Sequence, residues 1–199
     1  MKSTLHVPLH ADEAQTARLV ELQRGFAQLC NALTPLAQRT RIWNRVALHH
    51  LAYRELRTRF PEMGSQMVCN AIYSVSRTCR IVFQHPRSPF HLSKLGEAPL
   101  PLLRFSDDSP VYFDRHTLSL KNGRISMFTL DGRMHFDLAL KPESERALLA
   151  QRLREIVLLR RKDGVFELTF RLGDTTATEQ DAVPPMARIP DYVQVEETV

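Results

Sequence analysis

Two groups of side chains in residues 44–83 have the types and spacing of a surface that contacts nucleic acid. Both follow steps of three and four residues, which place each group on one side of a predicted helix. The groups are Gln66, Asn70, Tyr73, Arg77 and Arg80 on the later helix, and His50, Arg54 and Arg57 on the earlier one. Amide and guanidinium groups can bond base edges bidentately, and tyrosine can stack on a base. The later group contains no acid, although an ordinary exposed face, the alternative interpretation, would mix acids with bases.

Candidates for catalysis are weaker. Asp114 and His116 would share one face of an extended segment, as an acid and base pair requires, but the sequence offers no third partner. Asp107 and Asp108 lie in a Ser-Asp-Asp-Ser-Pro stretch that is typical of a turn. The chain has no phosphate-binding glycine loop, no nucleophile elbow and no His-Glu-x-x-His motif. We therefore expect neither a catalytic centre nor a cofactor.

The composition indicates a soluble globular protein, and we expect it in the cytoplasm. Hydrophobic residues make up 43% of the 199 residues and charged residues 25%, and there is no apolar run long enough to span a membrane. The first residues lack the apolar segment of a secretory signal. Cys30, Cys69 and Cys79 are odd in number and form no C-x-x-C pair, so we expect buried thiols rather than a zinc site.

The charge is distributed unevenly. Residues 174–199 hold six acids against Arg188 alone, a net charge of −5, and because the whole chain carries +5, residues 1–173 carry +10. Much of this excess is arginine, whose planar fork suits phosphate and base edges. A basic body favours nucleic acid as the partner, and the acidic tail is expected to be flexible until it meets a partner.

Helices are predicted in the first half of the chain. One begins after an N-cap at Asp12 and continues to about residue 34, and the second occupies residues 44–60 and ends at Pro61. The third begins with Ser65 as its N-cap. The predicted inward stripes are Leu19, Leu22, Phe26, Leu29 and Leu33; then Val46, His49, Tyr53, Leu56 and Phe60; then Val68, Ile72, Val75, Cys79 and Val82.

Strands are predicted in the second half. Asn122-Gly123 and Asp131-Gly132 separate three extended segments, and both dipeptides favour type I′ turns, so a three-stranded antiparallel meander is expected. A helix is predicted at 143–158, with Leu148, Leu149, Leu153, Ile156 and Val157 inward, and residues 165–172 read as another strand. The segments at 102–106 and 111–113 can supply more strands.

These elements predict an α+β fold in which a three-helix lobe is inserted in or next to a small antiparallel β-barrel, because closure removes exposed strand edges. The expected units are a first strand of the barrel within residues 1–10, a helical lobe at 11–83, a proline-rich linker or long ordered loop at 84–101, the barrel with its helix at 102–173 and the acidic tail at 174–199.

The order of these segments resembles a known family. The strings HHLAYRELRTRF, GSQMVCNAIYSVSRT, VYFDRHTLSLKNGRISMFTLDGRMHFDLAL and DGVFELTFRL, within residues 3–172, are similar to the N-terminal half of TnpB-type (OrfB-like) transposon proteins and Cas12-type CRISPR effectors. The resemblance implies a helical recognition lobe and a wedge domain, a small OB-like barrel. It also implies a ribonucleoprotein in which a guide RNA directs the protein to target DNA.

The resemblance assigns roles to residues at the matching positions. Gln66, Asn70, Tyr73 and Arg77, with His50 and Arg54, would face the flanking DNA motif and the guide–target heteroduplex. Contacts from the wedge to the nucleic-acid backbone would come from Lys121, Arg124, Arg133, Arg160, Arg161 and Lys162. The nuclease domain with its acidic metal ligands and the zinc ribbon of the family do not follow in this sequence, so we expect no cleavage by this chain alone.

Three functions compete at this point. The first is an RNA-binding, RNA-guided DNA-recognition subunit that acts with a guide RNA and a separate nuclease or effector partner. The second is a DNA-binding regulator that needs no RNA. The third is an enzyme that uses Asp114 and His116. We prefer the first.

Overall fold

The computed structural model describes residues 3–138, 140–150, 153–173 and 188–197, which form five α-helices and nine strands. The helices are α1 (Glu13–Thr40), α2 (Arg45–Arg59), α3 (Gly64–Gln84), α4 (Leu92–Leu95) and α5 (Pro142–Ala150), with a 3-10 turn at Pro61–Met63. The strands are β1 (Ser3–Pro8), β2 (Leu102–Phe105), β3 (Val111–Phe113), β4 (Leu118–Lys121), β5 (Arg124–Thr129), β6 (Gly132–Asp137), β7 (Leu153–Arg160), β8 (Phe166–Leu172) and β9 (Val193–Glu196).

The strands form three separate antiparallel sheets. The largest has the order β1-β8-β7-β3, the second pairs β2 with β9, and the third is the meander β4-β5-β6. Leu5 pairs with Phe170, and Leu158 pairs with Leu168, so the first strand of the chain closes onto one of the last. All five helices therefore lie, along the chain, between β1 and β8, two neighbouring strands of one sheet, and α1 to α4 follow β1 directly. None of these sheets is closed into a barrel within the described residues, so the expected closed barrel is not observed.

Helix α1 begins as predicted and continues one and a half turns further. The Asp12 carboxylate accepts the Gln15 backbone N–H at 2.7 Å, and the Gln15 side chain accepts the Asp12 N–H at 3.0 Å, which is a capping box. Pro35 lies inside the helix and lacks the N–H that would bond the Asn31 carbonyl. The Thr34 hydroxyl bonds that carbonyl instead, at 3.4 Å, and the helix reaches Thr40 rather than residue 34.

Residues 85–101 form an ordered loop rather than a free linker. The Ser88 side chain is completely buried, and Gln38 Nε2 donates to the Leu100 carbonyl at 2.8 Å. On the strand that follows, the Asn31 amide accepts from Phe105 N at 2.7 Å and donates to Phe105 O at 2.9 Å. A side chain of α1 thus bonds the backbone at one edge of β2, where a neighbouring strand could otherwise pair. β9 pairs with β2 along its other edge.

The predicted meander is confirmed, although its second turn differs in detail. Asn122 and Gly123 have φ values of 51° and 70°, as a type I′ turn requires. In the second hairpin Thr129 pairs with Gly132, so the two loop residues are Leu130 and Asp131. Gly132 has a φ of 111° and begins β6. The expectation that Asp131-Gly132 forms the centre of a type I′ turn is therefore wrong by one residue.

A salt bridge attaches the meander to α1. Arg18 Nε donates to the Asp131 carboxylate at 2.8 Å, and Arg18 Nη2 donates to the Thr129 hydroxyl at 2.8 Å. Hydrogen bonds from Thr129 and Arg18 hold the pKa of Asp131 below its usual value. Next to this contact, the Leu130 side chain lies 3.5 Å from the position that a Cβ at Gly25 would occupy, so the small residue of α1 lets the hairpin approach closely.

The helix predicted at 143–158 is wrong in its second half. α5 ends at Ala150, and LREIVLLR forms β7, an interior strand between β8 and β3 with a bulge between Leu153 and Glu155. Residues 155–158 are all buried. A strand covered on both faces reads as a continuous apolar run, which periodicity alone cannot distinguish from a buried helix.

The acidic tail is partly structured. The described residues 188–197 include β9, which pairs with β2, and Arg104 holds Glu196 with an Nε to Oε1 distance of 2.6 Å. The expectation of a flexible tail is wrong for this segment, and residues 174–187 lie outside the described part of the chain. Within the described residues, no helix has both the length and the apolar character needed to cross a membrane.

The second hairpin offers a test of backbone strain. Gly132→Val should lower the free energy of unfolding by about 1–3 kcal/mol, because a β-branched residue adopts a φ of 111° only with strain. No atom lies within 4 Å of the position of an added Cβ, so steric overlap would not contribute. Urea denaturation would measure the change. Ser119→Val, at an exposed strand position of the same meander, is the control, and equal stability of the two variants would contradict the assignment.

Candidate nucleic-acid interface

Helix α2 presents the exposed basic side chains. The Asn44 side chain caps the helix by accepting the N–H groups of Val46 and Ala47 at 3.0 and 3.1 Å. The buried face consists of Leu48, Ala52 and Leu56, spaced four residues apart. His50 and Arg54 are exposed and Arg57 is half-buried, and these three lie along one side of the helix as predicted.

The predicted inward stripe of α2 is rotated relative to the observed one. Val46 is 58% exposed, and His49, Tyr53 and Phe60 are only half-buried, so Leu56 alone of the predicted stripe is in the core. The His49 and Tyr53 rings stack with centroids 4.5 Å apart. Two sets of residues in α2 follow helical spacing: Val46, His49 and Tyr53, and Leu48, Ala52 and Leu56. The second set was overlooked because alanine counts little in a hydrophobicity pattern.

The polar stripe of α3 faces the protein interior. Its apolar stripe, including Val68, Ile72 and Val75, is buried as predicted, but the opposite face packs on the strands and is not open to solvent. Arg80 is 5% exposed and its Nη1 donates to the Ser76 hydroxyl at 3.1 Å. The expectation that this stripe forms an exposed face is therefore wrong for Tyr73, Arg77 and Arg80, because the large sheet covers it.

A carboxylate in the sheet explains why the stripe is polar. The Tyr73 hydroxyl donates to Glu155 Oε1 at 2.9 Å, and Arg171 Nη1 lies 2.7 Å from Glu155 Oε2. Glu155 is 9% exposed, and a charge with so little hydration requires partners of this kind. Arg77 lies within electrostatic reach of the same carboxylate. These residues form what we call the Glu155 cluster: Tyr73, Arg77, Glu155 and Arg171.

Burial sets the protonation of the tyrosines around this cluster. Burial, followed by the negative charge of Glu155 and the hydrogen bond to it, raises the pKa of Tyr73 to about 12. Burial also raises the pKa values of Tyr112 on β3 and Tyr192 beside β9. Tyrosine hydroxyls are protonated at physiological pH in any case, and here they keep their protons to more alkaline pH and can donate hydrogen bonds. The three tyrosines lie on α3, on the large sheet and next to β9. The polar stripe of α3 therefore helps to hold these parts of the fold together.

The remaining residues of the stripe, Gln66 and Asn70, are half-buried. Asn70 Nδ2 lies 3.8 Å from the Met67 sulfur. α3 begins at Gly64 directly after the 3-10 turn, and Met63 precedes it without a side-chain cap, so the prediction that Ser65 is the N-cap is wrong. Contact of Gln66 and Asn70 with nucleic acid remains a prediction.

The basic residues predicted in the wedge are exposed but are dispersed over two places. Lys121 and Arg124 lie at the first hairpin turn, and Arg124 approaches Asp137 at 3.6 Å. Arg133 extends across the meander and donates to Ser126 Oγ at 2.7 Å. The cluster at 160–162 lies at the β7–β8 turn, more than twenty residues further along the chain.

Two of the three cations at the β7–β8 turn are engaged within the chain. Arg161 pairs with Asp163 at 2.6 Å, and Arg160 lies over the Phe166 ring at 5.6 Å, whereas Lys162 is exposed. A cleft of about 580 Å³ lies here, lined among others by His10, Thr16 and both arginines. Asp163 also lines the cleft, so its negative charge would repel an anion that enters.

The residues considered for catalysis have structural roles. Asp114 Oδ1 accepts the backbone N–H groups of His116 and Thr117 at 3.0 Å each, and the Thr117 hydroxyl at 2.8 Å, which closes the turn into β4. Asp108 accepts the Ser106 hydroxyl at 2.6 Å. Cys30 and Cys79 are buried and Cys69 is half-buried. In the described part of the chain, no group of three or more His, Cys, Asp or Glu side chains is arranged to hold a metal ion.

The structure adds four arginines that the sequence pattern did not single out. Arg39 and Arg41 lie at the end of α1, and Arg45 and Arg59 lie at the two ends of α2, so all four belong to the same segment of the chain as His50, Arg54 and Arg57. Arg41 also donates to the Ala98 carbonyl at 2.7 Å. The charge count of residues 39–80, eight arginines against Glu55 and Glu62, already indicates the excess of arginine in this segment, although it assigns no role to these four. We call the arginines at 39, 41, 45, 54, 57 and 59, with His50, the α2 basic strip.

The Glu155 cluster predicts a dependence of stability on alkaline pH. The folded state holds the Tyr73 proton more tightly than the unfolded chain, so this stabilisation is complete below about pH 10 and is lost as the pH rises towards 12. From pH 9 to pH 11, wild type should lose about 1 kcal/mol more unfolding free energy than Tyr73→Phe. Urea denaturation at both pH values tests this, with Tyr53→Phe on α2 as the control. Identical losses in wild type and Tyr73→Phe would contradict the assignment.

Comparison with known proteins adds no relative. No model of a known protein family matches the sequence. No curated protein is significantly similar to it either. The chemistry of the chain's own residues, and above all of the α2 basic strip, therefore carries the functional argument.

Proposed function

We propose that this protein binds RNA through the α2 basic strip. The observation that carries the proposal is that its six arginines, within the described residues, form no ion pair with a carboxylate. Arginines elsewhere are commonly paired. Ion pairs with acidic side chains are formed by Arg18, Arg24, Arg104, Arg124, Arg161, Arg171 and Arg188. Other exposed arginines without an ion pair among the described residues, at 87, 115, 133, 146 and 160, are dispersed along the chain, whereas the six of the strip lie within residues 39–59.

Unpaired cations at this density favour a polyanion as the partner. Like charges along one helix repel each other, and at physiological salt this repulsion acts mainly between neighbours closer than the screening length of about 8 Å. A phosphate backbone neutralises several of them at once and releases its own condensed counterions, which gives a large gain in affinity. The fifteen residues of α2 extend about 22 Å, which suits several consecutive phosphates.

The choice of arginine and the neighbouring rings favour nucleic acid among polyanions. Guanidinium groups bond phosphate oxygens bidentately and stack on bases, which lysine does not do. The stacked His49 and Tyr53 rings lie on the same helix and are half-buried, so part of their surface is open to a base. RNA is preferred because its unpaired bases are available for such stacking.

We further propose that the chain acts as an RNA-guided DNA-recognition subunit, in line with its resemblance to TnpB-type and Cas12-type proteins. The insertion of the helices between β1 and β2 supports a recognition lobe emerging from a wedge-like group of strands. A guide RNA would then direct the complex to target DNA, and Lys121, Arg124, Arg133 and Lys162 would contact its backbone. The proposal includes no catalytic step by this chain, so a nuclease or effector partner would supply any cleavage.

The decisive experiment is to isolate the protein from its native host without nuclease treatment and to sequence the nucleic acid that accompanies it. One discrete structured RNA is the expected result. Random fragments that wash away at high salt would contradict the guide-RNA proposal. Tight, sequence-specific binding of duplex DNA by the RNA-free protein would instead support the DNA-binding regulator.

Removal of charge from the α2 basic strip should weaken RNA binding in a salt-dependent way. Arg54→Gln with Arg59→Gln should lower affinity and reduce the slope of log K against log salt by about one to two units, because each lost contact with a single strand removes about 0.7 unit. Filter binding between low and moderate salt measures the slope. The control is Arg188→Gln, an exposed arginine that is paired with Asp191. An unchanged slope in the double variant would exclude the strip.

A further inference from the structure

A hollow opens between α2 and α3 beside the α2 basic strip. It has a volume of about 290 Å³ and is lined by Arg45, Val46 and His49 from α2 and by Cys69 and Ile72 from α3. Val46 is 58% exposed and Ile72 is 1% exposed, so the hollow leads from the surface to the core of the helix pair. Its lining is mostly apolar, although Arg45 and His49 contribute to it.

The walls of the hollow suit a flat aromatic group. The His49 ring is fixed by its stacking on Tyr53, with the ring planes 20° apart, so one wall is a planar ring in a defined orientation. The Val46 and Ile72 side chains supply apolar surface, and Arg45 supplies a cation that can bond a phosphate or an acceptor on a base. A ring system inserted here would contact both apolar surface and an aromatic face.

The position of the hollow relative to the strip indicates what enters it. Val46, His50, Arg54 and Arg57 lie at steps of four, four and three residues, and therefore along one side of α2. The hollow is at one end of this line, and the distance along the helix from Val46 to Arg57 is about 16 Å. A strand whose phosphates follow the line would have a nucleotide at the hollow.

We propose that the hollow binds one unpaired nucleobase of a single-stranded RNA segment whose phosphates lie on the α2 basic strip. The inference rests on the proposed RNA binding and adds a preference for single strands. A base within a duplex cannot enter, because its edges are paired and its faces are stacked on neighbouring bases. Burial, followed by the negative charge of Asp114, raises the pKa of the Cys69 thiol, and the positive charge of Arg45 lowers it, so the hollow lies between charges of both signs.

Cys69 allows the hollow to be probed in the unmodified protein. The thiols of Cys30 and Cys79 are buried, with exposures of 0% and 1%, whereas Cys69 is half-buried and lines the hollow. A maleimide reagent applied to the folded chain should therefore label Cys69 selectively. Mass spectrometry of the labelled protein would confirm the site and give the rate.

The first test compares the labelling rate with and without nucleic acid. A saturating twelve-nucleotide single-stranded RNA of mixed sequence should slow the labelling of Cys69 by about tenfold or more. Neither the corresponding RNA duplex nor polyphosphate, which has charge but no bases, should slow it to that extent. Equal protection by all three would reveal a charge effect and overturn the inference, as would protection by single-stranded DNA alone.

The second test uses variants of the walls. His49→Ala should weaken binding of the single strand about tenfold through loss of stacking, and Val46→Trp should do the same by filling the hollow, while duplex binding stays unchanged. Leu51→Ala, an exposed apolar position of α2 outside the hollow, is the control. If RNA binds but both wall variants bind it like wild type, the hollow is not the site and the proposed function stands. If wild type binds no RNA, the proposed function and the inference about the hollow both fail.

Discussion

The buried carboxylate of Glu155 is the constraint on which the arrangement of helices and strands depends. It lies on an interior strand and retains little contact with water, so its charge must be satisfied by protein groups. Tyr73 from α3 and Arg171 from β8 provide those groups at 2.9 and 2.7 Å. These contacts fix which face of α3 meets the sheet, and with it the orientation of the whole helical insertion.

The orientation of α3 decides which helix can meet a partner. Because the apolar stripe of α3 packs on the other helices and its polar stripe packs on the strands, little of α3 remains available. α2 is the neighbouring helix and buries a narrow face of Leu48, Ala52 and Leu56, which leaves His50, Arg54 and Arg59 exposed and Arg45 and Arg57 half-buried. Among the described residues, seven arginines pair with carboxylates within the fold. The arginines of the α2 basic strip do not.

The sheets are assembled from segments that are distant in sequence. β1 pairs with β8 across most of the chain, and β9 pairs with β2. Side chains of α1 complete what the strands leave open, since the Asn31 amide bonds the backbone of Phe105 and Arg18 anchors the second hairpin through Asp131. The N–H and C=O groups of Phe105, which face away from β9, are thus satisfied by a side chain of the helix.

The sequence by itself determined the local elements. Capping at Asp12, the apolar stripe of α3, and the Asn122-Gly123 turn depend on residues close together in the chain, and they were predicted from those residues. The row of His50, Arg54 and Arg57 was also found in this way. Only the tertiary structure decided that LREIVLLR is a strand, that β9 pairs with β2, and that Arg77 and Arg80 face inward. The physical reason is that each outcome depends on a partner far away in sequence. An apolar run becomes an interior strand only when other parts of the chain cover both its faces. A polar helical stripe is buried only when it packs against groups that bond its side chains, as the carboxylate of Glu155 does here.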